Sequence, residues 1–322
     1  MKSYSRNAYI SLFICLLTVF LIHAQESATK QKAVLVTGAS SGIGLKITEQ
    51  LSNKGYFVYA GARKQEDLER LSTIKNVQSI KLDVTKWDEI NAAVETIKKE
   101  GRGLYGLVNN AGVGIWGAFT EVKEEDLEFI LNVNVYGPYR VTKAFAPLII
   151  ESKGRITNIS SISGVGSPKG GLFNGPYNMS KHAVEAYNDA LATELKKFDV
   201  QVSAIEPGSY NSKILENMIK RMKANYSSYE NSLYKEDIDK FIASGGDRSK
   251  DKDPAEVAEA VEKALFSDNP KPRYMVVPNE KQAHRTITKV MRQMVQLNEN
   301  QAYKYDRETL IKMLDKVLAE TE

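Results

Sequence analysis

Residues 37–44 read Thr37-Gly38-Ala39-Ser40-Ser41-Gly42-Ile43-Gly44. What stands on either side of this run decides the fold. Before it, Ala33 to Thr37 is apolar and β-branched with no helical period, as a buried parallel strand requires. After it, Ile43 to Asn53 carries a helical pattern that Gly55 closes. A glycine-rich turn between strand and helix lets backbone approach a phosphate closely. The helix start adds unpaired N–H groups and the positive end of a dipole, so Gly38, Ser40, Ser41, Gly42, Ile43 and Gly44 form a candidate pyrophosphate cradle.

Outward from the turn the same alternation repeats. Strands are expected at Tyr56 to Ala60, Gln78 to Leu82, Leu104 to Val108, Arg155 to Ser160, Gln201 to Ile205 and Tyr274 to Val277. Helices are expected at Glu66 to Ser72, from Trp87 through Ile97, at Asp126 to Ala146 as one long element, at Ser180 to Phe198 and at Pro254 to Phe266. Trp87, Ile90, Ala93, Val94 and Ile97 fall on one helix face that should meet the sheet. Strands joined this regularly by helices imply an α/β, doubly wound parallel sheet of Rossmann type, because right-handed crossovers cover both faces. The catalytic domain is expected over residues 32–280, with a mobile helical lid at 209–252. A helical extension should occupy 281–322. Its stripes, Ile287, Val290, Met291, Met294 and Val295, then Leu310, Ile311, Leu314 and Leu318, should pack on the parent domain or on a partner subunit in a homo-oligomer.

The 322 residues suit one α/β domain with appendages. With 42% hydrophobic and 26% charged residues, neither disorder nor a many-span membrane protein fits. A net charge of +4 is spread without a basic block, which argues against nucleic acid as a partner. The single cysteine and three scattered histidines support neither a disulfide framework nor a metal site. At the N-terminus, Lys2 and Arg6 precede an uncharged run from Ile10 to Ile22. As a helix that run rises only about 20 Å, short of the roughly 30 Å bilayer core. Residues 1–24 therefore read as an export signal cleaved after Ala24, or as an uncleaved anchor giving membrane association.

Five further segments follow in order: Asp83-Val84, Asn109-Asn110-Ala111-Gly112, Asn134 within Asn-Val-Asn-Val-Tyr-Gly, Ser161 within Asn-Ile-Ser-Ser-Ile-Ser-Gly, and Tyr177-Asn-Met-Ser-Lys181. Pro207-Gly208 closes the sixth strand. Tyr177 and Lys181 are four apart, so on a helix they share a face about 6 Å apart. An ammonium there favours the phenolate and should lower the tyrosine toward a useful range for a general acid/base.

The chain resembles the short-chain dehydrogenase/reductase family, with a complete match to its T-G-x-x-x-G-x-G turn and agreement with these segments in order and spacing. The resemblance spans roughly residues 32–280. It implies a nicotinamide-dependent oxidoreductase in which Tyr177 moves the proton, Ser161 binds the substrate oxygen and Asn134 holds a water linking Lys181 to solvent. It also puts Asp83 on the adenine amino group with Val84 beside it. Asn110, Ala111 and Gly112 approach the cofactor, and Pro207-Gly208 lies beside the nicotinamide. The Ser161–Tyr177 spacing is a few residues longer than usual, so Ser163 stays an alternative. Ser161 is preferred because it keeps the Ser-x-x-Gly pattern with Gly164. Ser212 stands where many members carry threonine.

The second strand ends in Gly61-Ala62-Arg63-Lys64, with no carboxylate for a ribose 2′-hydroxyl and an arginine able to grip a phosphate. NADP is therefore expected over NAD. The Tyr177 segment and Ile-Glu-Pro-Gly look most like the branch of retinol, hydroxysteroid and hydroxybutyrate dehydrogenases, implying a lipophilic alcohol or ketone as substrate. Rival readings are a catalytically idle NADPH sensor and a structural partner protein. Retention of all four polar catalytic residues argues against the first; the second predicts tight association without turnover.

Overall fold

The computed structural model describes residues 31–166 and 173–320. The expected signal segment lies outside them. Seven parallel strands form one sheet, β1 (Ala33–Val36), β2 (Phe57–Ala62), β3 (Val77–Lys81), β4 (Gly106–Asn109), β5 (Arg155–Ile159), β6 (Gln201–Pro207) and β7 (Arg273–Val276), in the order β3-β2-β1-β4-β5-β6-β7. The order reverses beside β1, and such a switch point opens a crevice at the strand C-termini.

Helices cover both faces, as the apolar strands demand. On one face lie α1 (Gly42–Asn53) and α2 (Gln65–Ser72), where Ile47, Leu51 and Leu71 pack with Val34, Val36 and Val58. On the other, α3 (Trp87–Glu100) contributes Ile90, Ala93, Val94 and Ile97 to a second core around Leu35 and Leu107. Trp87, at the first turn of α3, stays exposed rather than joining that face.

The long helix expected over 126–146 is two helices, α4 (Glu124–Asn134) and α5 (Tyr136–Glu151), broken at Val135. Pro138 has no N–H to give the Asn134 carbonyl, and a Cβ on Gly137 would stand 2.7 Å from Val84 Cγ2, so the chain must bend there. The bend turns Asn134 inward. The helix expected from Ser180 starts earlier, as α6 (Gly175–Leu195), because Pro176 in its first turn loses no hydrogen bond. Tyr177 and Lys181 thus sit on its first two turns.

Residues 209–252, the expected lid, hold the α-helices α7 (Ile214–Ala224) and α8 (Lys235–Ala243), before α9 (Ala255–Phe266) returns to the α1 face. Two C-terminal helices follow, α10 (Glu280–Glu299) and α11 (Arg307–Ala319). Their stripes do not pack on the parent domain: Ile287, Val290, Met291, Met294, Val295, Ile311, Leu314 and Leu318 are exposed. The opposite face of α10 does the packing, with Thr286 and Lys289 buried. No helix among the described residues is long and apolar enough to cross a membrane.

Candidate active site

At the crevice, β1 runs into the glycine-rich turn. Gly38 has φ +64, and a Cβ there would stand 2.9 Å from the Ala111 Cα. A Cβ on Gly44 would land on the Gly38 carbonyl and the Asn110 amide. Only hydrogen at these positions lets the two loops touch. Thr37 ties them further, since its Oγ1 accepts from the N–H groups of Asn110 and Ala111 at 3.0 Å each. Asn110 Nδ2 donates to the Thr37 and Gly38 carbonyls. Ser41 precedes α1 in an extended conformation without a side-chain cap, and no acidic residue stands in the first turn. Ser40 is held through its carbonyl by Arg70 at 2.5 Å, and Ile43 packs on the α1-side core. The Ser212 Cβ lies 3.3 Å from where a Gly42 Cβ would be, so the Pro207-Gly208 loop reaches over this turn. A bare, uncapped, glycine-lined helix start fits a dinucleotide pyrophosphate.

Beyond β2, Arg63 is exposed near Asp83. Burial works against the Asp83 carboxylate, but the Thr85 N–H and hydroxyl bonds and the Arg63 and Lys86 charges outweigh it and hold it below the usual range. Val84 is buried against Gly137.

Asn134 is fully bonded where the α4–α5 break leaves it. Its Oδ1 accepts from Val113 N–H at 2.8 Å and its Nδ2 donates to the Val113 carbonyl and Ser180 Oγ. A Cβ on Gly112 would stand 3.5 Å from Asn134 Oδ1 and 3.9 Å from Lys181 Nζ, so Asn134 and Lys181 flank one glycine. Ser161 follows β5; its hydroxyl is hydrogen-bonded to the Tyr177 phenol and accepts from Ser163 N–H at 3.1 Å. The structure thus brings Ser161 to Tyr177, with Ser163 supporting it through backbone. The Pro207 carbonyl accepts from Ile162 N–H at 3.1 Å, and Gly208 N–H donates to Val276 at 2.7 Å. Lys181 Nζ lies 5.7 Å from the Tyr177 ring centre and donates to the Ile159 carbonyl at 2.8 Å.

The electrostatics differ from the expectation. Burial pushes the Tyr177 phenol above its ordinary range, against the Ser161 hydrogen bond and the Arg248 charge. Burial also pulls Lys181 down to about 8, opposed by Glu185. In the protein alone desolvation outweighs the attraction that helical spacing suggests. Tyr177 is thereby kept protonated, as an acid, at neutral pH.

Four groups at the site were not read from the sequence. Asn109 donates to Asn158 at 2.9 Å and Asn158 to Asn188 at 3.0 Å, an amide ladder joining β4, β5 and α6. Aromatic rings form a layer: Trp116 stacks on Phe241 of α8 at 4.1 Å and meets Phe173 at 4.0 Å, which meets Tyr234 edge-on. Gln282 and Lys289 of α10 bind the Ser209 N–H and the Gly166 carbonyl, on either side of the site. Arg273 holds Glu185 at 3.1 Å, Glu206 at 3.4 Å and Asp189 at 2.6 Å. Only Glu206 had a visible signal, a carboxylate in an apolar strand before Pro-Gly.

Burial, then the neighbouring Glu185, raise Glu206 to about 7. A carboxyl raised in this way stabilises the fold fully below its unfolded value of about 4.5, and that stability is lost as pH climbs through about 7. The melting temperature of wild type should therefore fall by about 5 °C relative to Glu206→Gln between pH 4.5 and 8. Parallel melting curves across that range would remove the assignment.

The family model for short chain dehydrogenase matches residues 32–223. Mouse retinol dehydrogenase 7 is 35% identical over 272 residues, covering 80% of this chain and 84% of that protein. Rat mitochondrial D-beta-hydroxybutyrate dehydrogenase is 36% identical over 198 residues, 58% of this chain and 57% of that one. Among solved structures, a short-chain dehydrogenase from Streptomyces avermitilis superposes with TM-score 0.69 at 28% identity, covering 85% of this chain and 96% of that one. An actinorhodin polyketide ketoreductase with NADPH gives 0.62 at 30%, covering 78% and 97%. Matching turn, sheet order and relatives together place the chain in the short-chain dehydrogenase family, as a nicotinamide-dependent oxidoreductase.

Proposed function

We propose that the protein uses NADP(H) to interconvert a lipophilic alcohol and its carbonyl compound, with Tyr177 as general acid/base. The observation that carries this is the meeting of Ser161, Tyr177 and Lys181 at the strand ends beside a glycine cradle. A nicotinamide bound there supplies or accepts the hydride. Ser161 binds the substrate oxygen and Tyr177 gives it a proton in the reductive direction; Lys181 then faces the phenolate and stabilises it. Asn134 keeps the Val113 segment and Ser180, the residue before Lys181, in place. Its water-holding role belongs to this reading.

Arg63 supports NADP, since it leaves β2 where an acidic residue would select the ribose hydroxyl and it can meet a phosphate bidentately. The aromatic layer of Trp116, Phe173, Tyr234 and Phe241 supports an apolar substrate, which it would shield from water. Relatives named as retinol dehydrogenases agree with that chemistry. The test is oxidation of NADPH and NADH by the purified protein against short polar and long-chain apolar ketones and aldehydes. We expect NADPH and the apolar carbonyls to be preferred, and Arg63→Ala to raise KM for NADPH about tenfold with little change for NADH. Equal losses with both cofactors would refute the role of Arg63. Turnover confined to small polar carbonyls would refute the substrate class.

A further inference from the structure

Tyr177, Lys181 and Glu185 recur every fourth residue on one face of α6, and the third member has no place in the mechanism above. Glu185 is buried, 7% exposed, as is Glu206, at 5%. The Ser161–Gly164 turn is pressed onto the same face: a Cβ on Gly164 would stand 2.8 Å from the Lys181 carbonyl and the Ser160 hydroxyl and 3.1 Å from Glu185 Cγ. Arg273, the first residue of β7, binds Glu185 Oε2, while Glu185 Oε1, Glu206 Oε1 and Ser160 Oγ are buried without a hydrogen bond. Two buried carboxylates facing one guanidinium are costly, and apolar residues of similar volume would be no less stable there. The cluster therefore calls for a role beyond holding the fold.

We propose that Glu185 is a positioning residue for the Tyr177–Lys181 pair: one helical turn beyond Lys181 on the same face of α6 and oriented by Arg273, its carboxylate favours the ammonium form of Lys181 facing the phenol. This rests on the reading of Tyr177 and Lys181 given above. The charged and titratable groups around Glu185 are Lys181 and Asp189 on α6, Glu206 on β6 and Arg273 on β7. Glu185 is the member of this cluster that stands one helical turn from Lys181. It is the one charge that opposes the loss of the Lys181 proton on burial. Without it, Lys181 is neutral where the enzyme should work, and the phenolate formed on proton donation loses its counter-charge.

The experiment is the pH profile of carbonyl reduction for wild type, Glu185→Gln and Asp189→Asn. Wild type should lose activity above about pH 8 as Lys181 deprotonates. Glu185→Gln should move that limb down by about one pH unit, lowering kcat about tenfold at pH 8.5 and less than twofold at pH 6, with KM unchanged. Asp189→Asn removes a carboxylate from the same guanidinium but two turns from Lys181, and should keep the wild-type limb. A limb that stays in place in Glu185→Gln, or moves equally in Asp189→Asn, overturns the proposal. The Lys181 Nζ titration, followed by NMR in protein carrying 15N-lysine and assigned with Lys181→Met, needs no turnover. It should shift down in Glu185→Gln, and an unmoved titration overturns the proposal even in an inactive protein. Failure of wild type to reduce any carbonyl overturns the oxidoreductive reading and leaves the NMR result standing.

Discussion

Tyr177→Phe is expected to lower kcat at least about a thousandfold while leaving NADPH binding within about threefold of wild type. Phenylalanine keeps the ring that lies 5.7 Å from Lys181 Nζ and removes only the hydroxyl that meets Ser161. The fold does not depend on that hydroxyl, so the melting temperature should hold or rise slightly. Because burial raises the phenol, the reductive direction has its acid protonated throughout the neutral range. Oxidation needs the phenolate and should climb with pH until Lys181 deprotonates near 8. A Tyr177→Phe protein that retains a tenth of wild-type turnover would remove Tyr177 from the chemistry.

The second large effect is expected at Gly44. A Cβ there would coincide with the Gly38 carbonyl and the Asn110 amide, both fixed by hydrogen bonds, so no side-chain rotation relieves the clash. Gly44→Ala should cost on the order of 3 kcal/mol of stability, at the upper end for overpacking. It should also abolish detectable NADPH binding, because α1 must move away from the turn. Urea unfolding and fluorescence titration with NADPH measure the two effects. Affinity within threefold of wild type would show that the cradle is not where the pyrophosphate sits. Gly55 makes an informative contrast: it has positive φ, which Gly44 lacks, and nothing lies within 4 Å of its would-be Cβ, so Gly55→Ala should show backbone strain alone.

Sequence carried the cofactor half of the molecule well, for a physical reason. Strand, glycine turn and helix are contiguous, and the requirement for a bare backbone at Gly38 and Gly44 is written in residue identity itself. The alternation of buried strands and amphipathic helices also fixed the sheet class, since each element's period is local. Reading failed where a property depends on distant segments. The break at Val135 is the exception, since Pro138, with no N–H for the Asn134 carbonyl, is a local signal that the apolar stripe hides. The raised Tyr177 and lowered Lys181 reflect desolvation by a folded surround, which spacing along one helix cannot report. Glu185, Glu206 and Arg273 come from α6, β6 and β7, and only the folded sheet shows that they share one cluster. The C-terminal stripes have the expected period but do not cover the parent domain, because α10 is held there by its opposite face at Thr286 and Lys289; the partner subunit is the other expected cover.

That anchoring reaches into how the protein is made. Gln282 and Lys289 secure the loops at Ser209 and Gly166, yet they leave the ribosome well after those loops do. The residues of the glycine turn and of the Asn110–Gly112 loop that meets it are made first, the Ser212 and α9 segments that pack on that turn and on α1 follow, and the loops at Ser209 and Gly166 can be fixed only after Lys289. The order of synthesis thus runs from the nucleotide side of the crevice to the side where the chemistry is closed off.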